Sequence, residues 1–443
     1  MSEAKRTQFT VQQERALLVS VILPDSDADL HDPLGELRSL ARTAGAKVVD
    51  EAVARRSSIQ PGLYLGRGKA EEIAGRARQN RVDVVLFDND LSPAQIRDLE
   101  KIIDRKVLDR SEVILDIFAA HARTREARLQ VELAQLEYTY PRLRRMWTHL
   151  ERVAGGATTA AAAVGGIGTR GPGEKQIETD RRLVRRRVAQ LRRRIAAIDR
   201  RRQREVRSRR ESFQICLVGY TNAGKSTLMN LLTGAGMPVA DQLFATLDTR
   251  TRRWNLGEGH EALLSDTVGF ISHLPHHLIA SFRATLEEAI GAELLLHVAD
   301  AAHPRVAEQI RAVQEVLGEL GCGEKDQLLL LNKIDLISDP TVLRVLSERH
   351  ADAIALSAAT GENAEKLVEA VLERVRGRRV SVTIQADYTN GRLMQYLSRY
   401  AQVGDRSYEG RSVQLEATLG EKHVEVLRTF GAEVRIRAES ESS

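Results

Sequence analysis

The stretch GYTNAGKST, residues 219–227, spaces two glycines around a lysine and a serine as G-x-x-x-x-G-K-S. An apolar run, ICLV, precedes it and a helix-forming run, LMNLLTG, follows. That context makes Gly219, Tyr220, Thr221, Asn222, Ala223, Gly224, Lys225, Ser226 and Thr227 a phosphate-cradling loop. The glycines let backbone amides wrap phosphate oxygens, Lys225 reaches the terminal phosphates, and the Ser226 hydroxyl suits Mg²⁺. Asn222 has two readings, a ligand for K⁺ or a donor in an ordinary loop hydrogen bond. A carboxylate able to act on Mg²⁺ through water is Asp266, in the stretch Asp266, Thr267, Val268 and Gly269, where the Gly269 amide can meet a γ-phosphate.

The base is named by two later stretches. Asn332, Lys333, Ile334 and Asp335 follow the apolar run LLLL. A carboxylate at Asp335 accepts from both N1–H and N2–H of guanine, a donor pair that adenine lacks. Lys333 would lie over the ring, and Asn332 would tie this loop to the phosphate loop. Ser357, Ala358 and Ala359 follow IAL and place the Ala358 amide to donate to guanine O6. Between the phosphate loop and Asp266 lies the stretch Phe244, Ala245, Thr246, Leu247 and Asp248. Thr246 is the best candidate there for a threonine that senses Mg²⁺ and the γ-phosphate, with Thr249 and Thr251 as competitors. After Gly269 stands Phe270, where many GTPases carry a glutamine that orients water. A phenyl ring cannot do so, and slow unaided hydrolysis of GTP is the expectation.

Bulk properties agree with a multidomain protein that meets a polyanion. The chain has 443 residues, with 42% hydrophobic and 29% charged residues. That is too long for one ordinary core. No apolar run approaches the roughly 20 residues that span a bilayer, which leaves attachment at a membrane surface open. Two cysteines make no disulfide framework, and a reducing, cytoplasmic setting fits. The net charge of +5 hides a local excess: 15 arginines between Arg181 and Arg210 face only Asp199 and Glu205. Like charges at i, i+4, such as Arg181 with Arg185 and Arg182 with Arg186, destabilise an isolated helix, which points to compensation by a polyanion, with a solvated helix face as the alternative.

The spacing predicts four parts. Residues 1–110 alternate strands with helices, as a small parallel α/β domain does. Residues 111–211 carry two heptad seams: Leu129, Leu133, Leu136, Tyr140 and Leu143, then Val184, Val188, Leu191, Ile195 and Ile198. They predict a basic antiparallel helical hairpin, kinked at Pro141, with a glycine-rich tip at 155–176. Residues 212–378 form the nucleotide domain, a mostly parallel sheet flanked by helices. Residues 379–443 read as a small α+β domain with a disordered tail. LGRGKAEEI, residues 65–73, reads as strand–turn–helix. His273, His276 and His277 lack the spacing of a zinc site.

Four stretches narrow the reading: LFATLDTRTR, DTVGFISHLPHHL, VGGIGTRGPGEKQIETDRR and LFDNDLSPAQIRDLE. With the nucleotide motifs they resemble, over nearly the whole chain, the HflX family of ribosome-associated GTPases in the Obg-HflX group. The resemblance implies a monomeric GTPase that binds GTP and GDP, docks on the large ribosomal subunit and its rRNA, and splits stalled or idle ribosomes. It further implies hydrolysis stimulated by ribosomes and a secondary activity on ATP. The tip loop, with Arg170 and Lys175 as its cations, would reach toward the peptidyl-transferase region, while Arg181, Arg182, Arg185 and Arg186 would lie against rRNA. A different class stays open: an RNA-binding ribosome-assembly module whose occupancy GTP regulates.

Overall fold

The computed structural model describes residues 14–24, 26, 29, 31–138, 182–198, 212–236, 243–244, 249–257, 259–272, 288–376, 379–420 and 422–436. The first sheet is built from β1 (Arg15–Ile22), β2 (Lys47–Arg55), β3 (Val84–Phe87) and β4 (Lys106–Leu108), all parallel in the order β2-β1-β3-β4. Its helices are α1 (Gly35–Thr43), α2 (Arg67–Gln79), α3 (Pro93–Ile103) and α4 (Arg110–His121). Alternation in β1 sorts the two faces. Ala16 and Leu18 join Leu37 and Leu40 of α1 and Ile117 of α4, whereas Leu17, Val19 and Val21 join α2 and α3. A parallel sheet covered on both sides reads as a continuous apolar run, which is why ALLVSVI carries no polar stripe. Two capping boxes start helices here, Ser92 with Gln95 at α3 and Asp109 with Glu112 at α4. The expected strand at 65 is instead a turn closed by the Gln60–Tyr64 bridge, and Gly66 caps α2 directly.

The heptad seam begins with α5 (125–138) and is completed by α6 (182–198). Residues 111–121, read above with the hairpin, are α4 and pack on the first unit through Val113, Ile114, Ile117 and Phe118. Leu129, Leu133 and Leu191 are buried against each other, with Leu136, Val188, Ile195 and Ile198 around them. Ile198, two turns beyond Leu191 on α6, packs against the same cluster. Arg187 with Glu132 and Arg192 with Glu137, each at 2.7 Å, flank the seam. The opposite side of α5 sends Ala127, Val131 and Ala134 into the core it shares with α4. Pro141, the tip at 155–176 and the tail from 437 lie outside the described residues.

The nucleotide unit contains β5 (Phe213–Gly219), α7 (Lys225–Thr233), β6 (Arg250–Gly257), β7 (His260–Asp266), α8 (described over 288–291), β8 (Leu294–Asp300), α9 (Val306–Glu319) and β9 (Asp326–Asn332). It continues through a short 3-10 turn (Ile334–Leu336), α10 (Pro340–Arg349), β10 (Ile354–Ala355) and α11 (Ala364–Arg376). Its sheet runs β10-β9-β8-β5-β7-β6, parallel except for the β6 edge. The phosphate loop therefore leaves from the middle of the sheet, at the carboxyl ends of the strands, where α/β sheets bind ligands.

The last unit is β11 (Arg379–Asp387), α12 (Gly391–Tyr400), β12 (Ala401–Glu409), β13 (Ser412–Gly420), α13 (Lys422–Thr429) and β14 (Glu433–Ile436). The antiparallel order β12-β13-β11-β14 with this succession is the ferredoxin-like split βαβ arrangement. Val382 and Ile384 meet Leu393, Leu397 and Leu427 in its core. Among the described residues no helix is long and apolar enough to cross a membrane. Leu191→Ala should loosen the hairpin by about 2–4 kcal/mol, the range for emptying a buried leucine site. Faster amide exchange confined to 125–138 and 182–198, with unchanged affinity for GDP, is the expected result.

Candidate guanine-nucleotide site

Backbone conformation explains the glycines of the phosphate loop. Gly219 has φ 147°, and a Cβ there would stand 2.2 Å from the Val298 carbonyl oxygen. Gly224, at φ 94°, caps α7, where a Cβ would meet Asn332 Nδ2 at 2.3 Å. The first turn of α7 carries no acidic side chain, so the positive end of its dipole is open to an anion. Thr221 Oγ1 is buried with no hydrogen-bond partner among the described residues. Lys225 is buried, and its Nζ donates to the carbonyls of Gly219 at 3.0 Å and Tyr220 at 2.7 Å. Burial pushes the lysine down to about 8, with the Asp266 carboxylate working the other way.

Asp266 ends β7 fully buried, and the Ser226 hydroxyl donates to its Oδ2 at 2.6 Å. A hydroxyl and a carboxylate brought together beside a phosphate loop are hard oxygen donors, and they fit Mg²⁺. Among the described residues no cluster of three or more His, Cys, Asp or Glu forms a metal site, and the three histidines at 273, 276 and 277 lie outside them.

The base loops converge on the phosphate loop through one side chain. Asn332 Nδ2 donates to the Ala223 carbonyl at 2.8 Å, and its Oδ1 accepts from the Ala358 amide at 2.9 Å. The amide read from sequence as the donor to guanine O6 is thus engaged, and a bound base would have to share it. Ser357 and Ala358 are buried, whereas Asp335 and Ala359 are exposed. Ile334 donates its amide to the Leu356 carbonyl at 3.4 Å, which joins the two base loops. Lys333 adopts φ 65°, and its Nζ lies 2.7 Å from Asp300 Oδ2.

Sequence reading missed how the first unit holds Tyr220, Phe244 and Ser272. Phe244, placed above among nucleotide contacts, is buried, and its ring meets Phe118 of α4 edge-on at 4.6 Å. Tyr220, also placed there, sends its hydroxyl to Glu36 of α1 and to Ser272 Oγ at 2.7 Å. Buried Arg110 pairs with Glu36 at 2.9 Å and Asp88 at 2.8 Å, and donates to the Ser272 carbonyl at 2.8 Å. Nothing in the local pattern around Arg110 or Glu36 signals this. Arg110 and Ser272 are separated by 162 positions in the chain, and Glu36 and Tyr220 by 184. Phe270 is buried, donates its amide to Gly219 O at 3.1 Å and accepts from the Thr221 amide at 2.7 Å. A Cβ on Gly269 would stand 2.8 Å from Thr221 Cα and 3.0 Å from Lys225 Nζ. Thr267 Oγ1 donates to Leu217 O at 2.7 Å, and Val268 is buried. Ala245, Thr246, Leu247 and Asp248 lie outside the described residues; of the competitors, Thr251 Oγ1 pairs with Ser265 Oγ at 2.9 Å.

Three family models match in chain order: the GTP-binding GTPase N-terminal model at 31–119, the GTP-binding GTPase middle region at 121–210, and the 50S ribosome-binding GTPase model at 214–333. A GTPase HflX from Lacrimispora saccharolytica is 42% identical over 407 residues, 91% of this chain and 93% of that protein. One from Escherichia coli is 46% identical over 384 residues, 86% of this chain and 87% of that protein. The chain belongs to the HflX family of GTPases. It is a P-loop GTP hydrolase. Among solved structures, a GTP-binding protein from Sulfolobus solfataricus in complex with GDP is 23% identical, with a TM-score of 0.42 over 81% of this chain and 97% of that one.

In this HflX GTPase the depressed lysine has a measurable consequence. Phosphate favours charged Lys225, so the bound lysine titrates above about 8 and affinity is full below that pH. Affinity then falls as pH rises through 8. Titration of GDP at pH 7.5 and 8.5, below the ionisation of guanine, should give about threefold weaker binding at the higher pH. Gly219→Ala should abolish binding. Its Cβ has no space, and φ 147° is strained for any L side chain.

Proposed function

We propose that this HflX GTPase binds GTP in the cradle formed by residues 219–227, 266–269, 332–335 and 357–359, docks in that state on the large ribosomal subunit, and separates stalled or idle ribosomes. Hydrolysis then releases it. The observation that carries the reading is the joining of the phosphate and base loops through Asn332 in a chain that also presents an arginine face on α6. The description of the matching family, 50S ribosome-binding GTPase, supports the choice of partner.

In this reading Lys225 and the amides of the phosphate loop hold the β- and γ-phosphates, and Asp335 and Ala358 select guanine. Ser226 and Thr246 would hold Mg²⁺, with Asp266 acting through water; the ion supplies charge neutralisation at the phosphates. Asn222 would offer its side-chain oxygen to K⁺ in this reading, which a comparison of rates in KCl and NaCl would reveal. Phe270 cannot orient the attacking water, so the backbone, another residue or the ribosome supplies the missing group. The Gly269 amide and Thr246 would report the γ-phosphate, and GTP should bind more tightly on the ribosome than off it. ATP is a secondary substrate in this proposal, and the protein works as a cytoplasmic monomer.

Arg182, Arg185 and Arg186 are exposed on α6. With Arg170, Lys175 and Arg181, which lie outside the described residues, they form the proposed rRNA-binding stripe. Intact ribosomes should separate into subunits on a sucrose gradient when the protein is added with GTP or a non-hydrolysable analogue, and not with GDP. Binding without separation, or to immature particles alone, would turn the reading toward ribosome assembly. Arg182→Glu with Arg185→Glu and Arg186→Glu should lower affinity for large subunits. The log–log salt dependence should flatten by about 0.7–0.9 for each phosphate no longer neutralised. Affinity for GDP should stay as it was.

A further inference from the structure

We infer that Asp300 is a positioning residue for nucleotide binding, holding Lys333 in place before the base arrives. The inference rests on the guanine reading of residues 332–335 proposed above. It adds a residue from a different strand, outside the loops that the sequence motifs mark.

The geometry begins with register. β8 and β9 are parallel, and Asp300 stands opposite Asn332 at their carboxyl ends. The ladder runs one step further, with the Ala301 amide donating to the Asn332 carbonyl at 2.8 Å. Asp300 is therefore fixed one strand spacing from Asn332, the residue just before Lys333. Its Oδ1 accepts from the Ala302 amide at 3.1 Å, and its Oδ2 meets Lys333 Nζ at 2.7 Å. The carboxylate is thus oriented by its own backbone. Asp300 and Lys333 keep 18% and 23% of their side-chain surface in solvent.

Lys333 needs such a partner. Its left-handed backbone, φ 65°, turns the side chain out of the strand direction. A lysine stem is long and flexible, and an unanchored one would be ordered only at the expense of binding. Asp300 orders it beforehand. Because an ion pair still reached by solvent contributes little to folding, the effect belongs to affinity rather than stability. The lysine covers the base alike in GDP and GTP, so removing Asp300 is a uniform-binding loss, which raises KM and leaves kcat alone.

The test measures binding of fluorescent GDP and GTP analogues to the wild type, Asp300→Asn, Lys333→Met and the double variant, with GTP turnover and thermal unfolding alongside. Asp300→Asn should weaken both nucleotides by about three- to tenfold, the range for one side chain left unordered. Its kcat at saturating GTP and its Tm should match the wild type. In the Lys333→Met background the same change should do nothing, because the two residues act as one unit. Unchanged affinity in Asp300→Asn, an equal loss on top of Lys333→Met, or a fall in kcat would overturn the inference. ADP separates the two levels of argument. If the wild type does not prefer GDP to ADP, the guanine reading itself fails; if it does and Asp300→Asn binds normally, only the role of Asp300 falls.

Discussion

The Asn332 side chain is the constraint on which the nucleotide site depends. One amide group donates to the phosphate loop at Ala223 and accepts from the last base loop at Ala358, so three segments far apart in sequence share a single fixed point. The group is buried, and losing either bond would leave a buried polar atom unsatisfied. Gly224 exists as glycine for the same reason, since any Cβ would strike Asn332 Nδ2. The parallel register of β5, β8 and β9 brings this asparagine to the loop, and the apolar residues of those strands set that register.

Around that site the first unit and the nucleotide unit are packed as one body. Phe118 and Phe244 share a core, and the amide of Leu243 donates to Thr43 Oγ1 at 3.2 Å. Arg110, buried with two carboxylates, is expensive to desolvate unless every partner stays in place. One of those partners, Glu36, also receives the Tyr220 hydroxyl, whose own proton is held more tightly because burial and the nearby carboxylate disfavour a phenolate. The segment from Gly269 to Ser272 is thus gripped from both sides, by the phosphate loop and by Arg110 of α4. Any shift of this segment toward a phosphate alters contacts in both units.

Much of this was legible in the chain. The G-x-x-x-x-G-K-S loop, the apolar strands before each motif, the alternating first unit and the heptad seams of α5 and α6 are local signals, because strand and helix periods and turn chemistry act over a few residues. The family, its hydrolase activity and the α/β architecture followed from motifs in order. Other features had no local signature. Residues 111–121 look like a continuation of the hairpin, yet their apolar sides are taken up by α1 and the first sheet. The run at 65 looked like a strand, but it closes as a turn through the Gln60–Tyr64 bridge.

Sequence by itself marked which residues carry the chemistry suited to phosphate and guanine, because glycine, lysine, serine and carboxylate have fixed chemistries and the motif spacing leaves them few places to stand. Tertiary structure alone decided where Tyr220, Phe244 and Lys333 point. Tyr220 could have faced solvent or nucleotide; it turns to Glu36 because a carboxylate held by buried Arg110 waits there. Phe244 fills a space made by α4, and Lys333 turns to Asp300 because parallel register sets a carboxylate beside it. Each outcome depends on which strands and helices become neighbours, a long-range property that no short window of residues contains.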